Sequence, residues 1–197
     1  MSLRPVPDGH LAAVVTYLEM LAPPAEPVPA GSLQLSRMTW PGPEAYRALF
    51  RKVGMPWLWF SRLAMTDTEL TAITGDADVE LFEVAAVEAV VGMLELDFRV
   101  AGECELAFVG LVPELSGMGH GHWLLAEALR LAWRNGITRV HVHTCTLDHP
   151  AALAAYRRAG FTATRRAIEA FPDPRLTGLL PRDCAPQIPL IGSAPES

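Results

Sequence analysis

Apolar positions recur along this chain at two different periods, and each period predicts a different element. In residues 9–21, Leu11, Val14, Val15, Leu18 and Leu21 fall at three- and four-residue spacing, which predicts a helix behind Asp8 as its cap. Residues 33–40, LQLSRMTW, alternate and predict a first strand. Pro43 opens a second helical run, PEAYRALFRKVG, which Gly54 stops. The aromatic stretch MPWLWFSRLAM follows, and then a helix TDTELTAIT capped by Thr66 or Asp67. Three strand-like runs come in succession: VELFEVAA, AVVGMLELDFR and ECELAFVGLV. Beyond them the pattern alternates through the helix WLLAEALRLAWRNG, the strand RVHVHTCT, the helix HPAALAAYRRAG and the strand FTATRRAIEAF.

Three consecutive strands predict an antiparallel meander, and the alternating half predicts parallel pairing through helical crossovers. The expected fold class is therefore α/β, a mixed sheet covered by helices. Residues 1–32 are expected to form an N-terminal helix and a linker, because APPAEPVPAGS is too rich in proline for regular structure. Residues 33–171 form the main domain, and the proline-containing tail, residues 172–197, wraps the surface or stays loose.

Composition narrows the partners. The chain has 197 residues, 50% of them hydrophobic and 19% charged, with a formal net charge of -6. That suits one domain with a sizeable core and argues against nucleic acid or an anionic membrane, since basic residues cluster no further than pairs. No apolar run approaches the roughly 20 residues that span a bilayer. LAAVV near the start is too weak and too poorly flanked for a secretory leader. Cys104, Cys145 and Cys184 are odd in number and far apart, the usage of a reducing compartment, so a soluble cytoplasmic protein is expected.

The candidate chemistry begins in VPELSGMGHGHWLLAEAL, residues 112–129, where Gly117, Gly119 and Gly121 stand directly against a helical run. A glycine in a helix costs about 0.5–1 kcal/mol. The cost is tolerable where something must approach the backbone closely. A strand feeding such a loop into a helix gathers several N–H groups and the positive end of the helix dipole, an anion site suited to a diphosphate. The spacing is not that of a dinucleotide-binding turn, and no Gly-Lys-Ser/Thr follows, so both familiar nucleotide loops are excluded.

The segment resembles the GCN5-related N-acetyltransferase (GNAT) family, whose acetyl-CoA loop reads Gln/Arg-x-x-Gly-x-Gly/Ala after a strand ending in Val-x-Pro. Here Leu111, Val112 and Pro113 precede Ser116, Gly117, Met118, Gly119, His120 and Gly121, with Ser116 in place of the usual Gln or Arg. Downstream, Tyr156 through Phe161 is similar to the family's Tyr-x-x-x-Gly-Phe signature, and His149 holds a place often taken by Asn. The match is strong over residues 105–161, agrees in element order from residue 33, and leaves both ends uncovered.

The resemblance implies a GNAT-like fold and an acyltransferase that moves the acetyl group of acetyl-CoA directly to an amine of a small molecule or peptide, without a metal. It implies that the amides of Met118 to His122 hold the diphosphate and that pantetheine adds as a pseudo-strand along Val109 to Val112, with an amide near Leu111 facing the thioester carbonyl. His149 and Ala152, near the start of the helix carrying Tyr156, complete the implied CoA contacts. Tyr156 matches the tyrosine that protonates the departing sulfur; packing alone is its other reading. Glu105 is the candidate base by its spacing to the loop, against a plain strand-end glutamate, and His143 is the second candidate. His141, His143 and Cys145 share one strand face, so a metal-dependent hydrolase is a rival reading, as is a non-catalytic acyl-CoA sensor of the same fold. Trp57, Trp59 and Phe60 stand where the family often builds a wall of the acceptor pocket, core packing being the alternative. Pairing of C-terminal strands between subunits, frequent in this fold, implies a homodimer.

Overall fold

A computed structural model describes residues 3–192. Seven strands form one sheet: β1 (His10–Met20), β2 (Gln34–Arg37), β3 (Val79–Ala86), β4 (Ala89–Asp97), β5 (Glu103–Leu111), β6 (Arg139–Cys145) and β7 (Thr162–Pro172). Their order across the sheet is β2-β3-β4-β5-β6-β1-β7. Four helices flank it: α1 (Pro43–Gly54), α2 (Asp67–Thr74), α3 (His120–Ala132) and α4 (Ala152–Arg158). No helix among the described residues is long and apolar enough to cross a membrane.

The first element corrects the sequence expectation. Residues 10–20 form a strand, not a helix, paired antiparallel with β6 on one edge and β7 on the other. Two causes act together. The run VVTY is β-branched and aromatic, which favours extended backbone. Being central, the strand buries both faces: Ala13 and Val15 on one, Leu18 and Met20 on the other. Apolar residues on both faces imitate helical spacing, and local periodicity cannot tell the two apart.

The rest of the mixed sheet follows from the chain order. The meander β3–β4–β5 is antiparallel, and β5 pairs with β6 in parallel through α3. Because β1 runs antiparallel to both neighbours, β6 and β7 share a direction, as the crossover through α4 requires, without touching.

One core lies between the sheet and α3, with Leu18, Leu94, Leu106, Trp123, Leu124, Leu129 and Val142 buried. The linker crosses this side: Val28 and Leu33 pack on the core, and Gly31 lies so close under Trp123 that a Cβ would stand 2.5 Å from the indole. The second core packs α1 and α2 on the opposite face around Tyr46, Phe50, Leu70 and Met93. Thr66 and Glu69 cap α2 reciprocally, two orphan donors satisfied at once. The tail wraps this second core, burying Leu180, Cys184 and Ala185. It is held by a buried pair in which Arg175 donates to Asp173 at 2.7 Å and to the Ile188 carbonyl at 2.8 Å.

Candidate functional site

The glycine loop begins where β5 ends. Pro113–Leu115 make one 3-10 turn, Gly117 and Gly119 take φ of +79° and +83°, and Gly119 is the residue from which α3 starts. At those two positions the left-handed backbone explains glycine by itself. Gly121 has no such φ, and a Cβ there would meet nothing within 4 Å. Neither backbone nor internal packing asks for glycine at 121, and the position stands open to an external group.

Three amides in the loop are used internally: Ser116 donates to Pro113 O at 2.9 Å, Met118 to Leu115 O at 3.4 Å and His122 to Gly119 O at 3.1 Å. Among the described residues the N–H groups of Gly117, Gly119, His120 and Gly121 have no protein partner. The expected set, Met118 to His122, is thus smaller at its two ends and extended to Gly117. No side chain caps α3, so the dipole end stays free for an anion. Ser116 and Met118 are exposed beside it.

Below the loop the sheet opens. β5 and β6 pair in parallel only from Glu103 to Glu105 against Arg139 to His141; beyond this β5 runs on to Leu111 and β6 to Cys145 without a shared ladder. A bulge drives them apart: Glu95 faces Phe108 and Leu96 faces Leu106, so Ala107 is the extra residue on β5. Val112 donates to Val91 O on β4 at 2.8 Å. Alternation then turns the main-chain groups of Val109 and Leu111 away from β4 and into the open seam. An extended chain carrying amides fits such a free strand edge.

The candidate side chains lie on both faces of the sheet. Tyr156, on α4, lies half-buried on the α3 side and packs edge-on against Phe161 at 5.7 Å. Burial, with Asp148 adding to it, pushes its phenol well above the ordinary value of 10, so the hydroxyl keeps its proton at neutral pH. On the opposite face Glu105 and His143 meet, Nδ1 to Oε1, at 3.3 Å. Their pairing holds the Glu105 carboxyl below its usual range and raises the His143 imidazole above 6.5, where Asp148 and Glu169 add further attraction. The two candidate bases are one coupled unit, across the sheet from Tyr156.

The face shared by His141, His143 and Cys145 is as expected, but each histidine engages a carboxylate, His141 lying 3.5 Å from Glu103. Burial lifts the Cys145 thiol to about 11. Among the described residues no group of three or more His, Cys, Asp or Glu side chains is arranged to hold a metal. His149 turns inward: its Nδ1 accepts from Ala151 N at 3.1 Å and its ring meets Trp57 edge-on at 4.9 Å. Its carbonyl accepts from Ala152 N at 2.8 Å, so both residues shape the start of α4. Glu95 is fully buried and accepts from Tyr46 Oη and Arg62.

Asp148 was not singled out by sequence. It accepts from Thr144 Oγ1 at 2.7 Å, Cys145 N at 2.8 Å and Trp59 Nε1 at 3.1 Å, tying the aromatic stretch after α1 to the end of β6. Tyr17, hidden in the supposed helix, stacks near His143 at 5.8 Å and under Arg165 at 3.9 Å. An Asp in a turn before a Pro was the visible signal for the first; nothing local marked the second.

Comparison with known proteins gives one family and many fold neighbours. The acetyltransferase (GNAT) family model matches residues 43–161. No curated protein matches the chain. A GCN5-related N-acetyltransferase from Sphaerobacter thermophilus superposes with TM-score 0.57 at 19% identity, over 84% of this chain and 52% of that one. A functionally unknown protein from Staphylococcus epidermidis gives 0.56 at 12% identity, over 84% and 63%. An aminoglycoside acetyltransferase from an uncultured soil metagenomic sample, in complex with sisomicin, gives 0.55 at 15%, over 70% and 93%. The chain thus spans between half and two-thirds of the length of the first two. These identities speak for the fold alone, whereas the family match takes in more than half of the chain, from α1 through the loop, the seam and α4 to Phe161: the chain belongs to the acetyltransferase (GNAT) family.

Proposed function

We propose that this protein transfers an acetyl group from acetyl-CoA to the amine of a small molecule or peptide by direct attack. The observation that carries the reading is the conjunction of four unpartnered amides around Gly117–Gly121 with an open strand edge running from them toward the sheet interior. The amides take the diphosphate, the main-chain groups of Val109 and Leu111 take pantetheine, and the thioester lies at the bulge near Phe108. The acceptor nitrogen attacks the carbonyl carbon, a C–N bond forms and the C–S bond breaks. The Glu105–His143 pair receives the amine proton, directly or through water, and the Tyr156 hydroxyl protonates the sulfur. An amide facing the seam stabilises the developing oxyanion.

The acceptor lies on the α1 face, where Glu105 and Glu169 favour a cationic amine before it loses its proton. The neighbour in complex with sisomicin gives a first class of amines to try. CoA is expected to raise the melting temperature, and acetyl-CoA with an amine panel that includes aminoglycosides is expected to release free thiol. Tyr156→Phe is expected to keep CoA binding and to lower turnover by about 10²-fold or more. Stabilisation without thiol release for any amine favours the sensor reading; no stabilisation by CoA overturns both.

A further inference from the structure

Trp59 is held more firmly than a half-buried side chain requires. Leu58, directly before it, takes a left-handed φ of +55°, an unfavourable conformation for a residue with a Cβ. Gly54 has an ordinary φ of -95°, yet a Cβ there would stand 2.5 Å from Trp59. At Gly110 a Cβ would stand 3.0 Å from Trp59 Cη2 and 2.6 Å from Val53 Cγ1. Two glycines, far apart in sequence, therefore leave room for this indole. Phe50 and Phe108 pack on it with centroids 5.6 and 5.1 Å away, and its N–H donates to Asp148 at 3.1 Å.

These contacts define where the ring lies. Cη2 and Cζ2 of the ring sit over Gly110 on β5, and Nε1, on the same side of the indole, reaches Asp148 just beyond β6, while the opposite edge faces Gly54. Between those points the two strands have already parted. The indole therefore lies across the open seam on the α1 side, opposite α3 and its glycine loop. A chain entering from the loop and emerging on the α1 face comes up beneath it.

We propose that Trp59 sets the acyl specificity: the indole closes the seam above the thioester and limits the transferred group to the shortest acyl chains. The inference rests on the acyl-transfer reading above and adds the residue that decides which acyl-CoA is accepted. Nearby Phe108 and Gly110 form the lower wall, and Asp148 fixes the roof by its bond to the indole N–H. Each carbon added to the acyl chain must displace the ring or leave the seam.

The test needs no acceptor. Calorimetry compares CoA with S-ethyl-, S-butyl- and S-octyl-CoA, thioethers that cannot transfer, on the wild type and on Trp59→Phe, Trp59→Leu and Trp59→Ala. The wild type is expected to bind S-octyl-CoA at least about tenfold more weakly than S-ethyl-CoA, a discrimination within reach of an apolar pocket. The penalty should shrink as the replacing side chain shrinks, while affinity for CoA itself stays level. The Phe and Leu variants supply the trend should the Ala variant fail to fold. A wild type indifferent to chain length, or a penalty unchanged across variants that still bind CoA, overturns the assignment of Trp59 and leaves the transferase reading standing. Failure of the wild type to bind CoA at all overturns both.

Discussion

At position 121 a methyl group would enter open space, on a backbone any residue adopts. Gly121→Ala is therefore expected to stabilise the free protein by about 0.5–1 kcal/mol through helix propensity. The same methyl would crowd the diphosphate, so CoA affinity is expected to fall about tenfold or more, the loss of one charge-assisted hydrogen bond. Thermal denaturation and calorimetry on one preparation read both signs; a gain in stability with unchanged CoA affinity would detach the loop from the ligand. The Glu105–His143 pair makes a second prediction. A base that must be neutral imidazole acts as pH rises through its pKa, and Glu105 has raised that pKa above 6.5. The rising limb of kcat/KM should lie above pH 6.5 and move downward in Glu105→Gln. For folding the signs differ. The His143 share is complete below 6.5 and lost as pH rises through the raised value. The Glu105 share is complete above 4.5 and lost as pH falls through the lowered one. Glu105→Gln should then cost stability mainly between those values, modestly, because His143 is 49% and Glu105 32% exposed in their side chains.

Among the elements, β1 departs furthest from the sequence expectation, for a reason that reaches beyond this chain. A strand buried on both faces carries its apolar residues without a clean period of two, and only its partners reveal it. Those partners lie more than a hundred residues away, Val15 facing both Cys145 and Ala167. Because β1 joins β6 to β7, Leu18→Ala should cost about 2–5 kcal/mol in chemical denaturation, a cost a loosely appended helix would not show. The tail makes a similar case. Asp173→Ala leaves the Arg175 guanidinium buried without its carboxylate, with both side chains only 2% exposed, and should destabilise by roughly 3–5 kcal/mol. A tail resting on the surface would lose almost nothing.

For the molecule as a whole, what could be read in advance was what is local. The loop glycines, the Tyr156 signature, the capping at Thr66 and the three meander strands each declare themselves within a dozen residues. The contacts that finish the site do not. Trp59 and Asp148 meet across 89 residues, and Glu105 meets His143 through the tilt of a parallel pair that no single strand encodes. The bulge at Ala107 follows from the family resemblance but not from periodicity, because alternation breaks there by one residue, too little to distinguish from an imperfect strand. Yet that residue opens the seam on which the proposed reaction depends.

A structure of the complex with CoA tests this account most directly. It is expected to place diphosphate oxygens within hydrogen-bonding distance of the amides of Gly117, Gly119, His120 and Gly121, with pantetheine along Val109 and Leu111 and the sulfur beside the Tyr156 hydroxyl. A diphosphate held elsewhere, or a sulfur on the far side of the sheet from Tyr156, would contradict it.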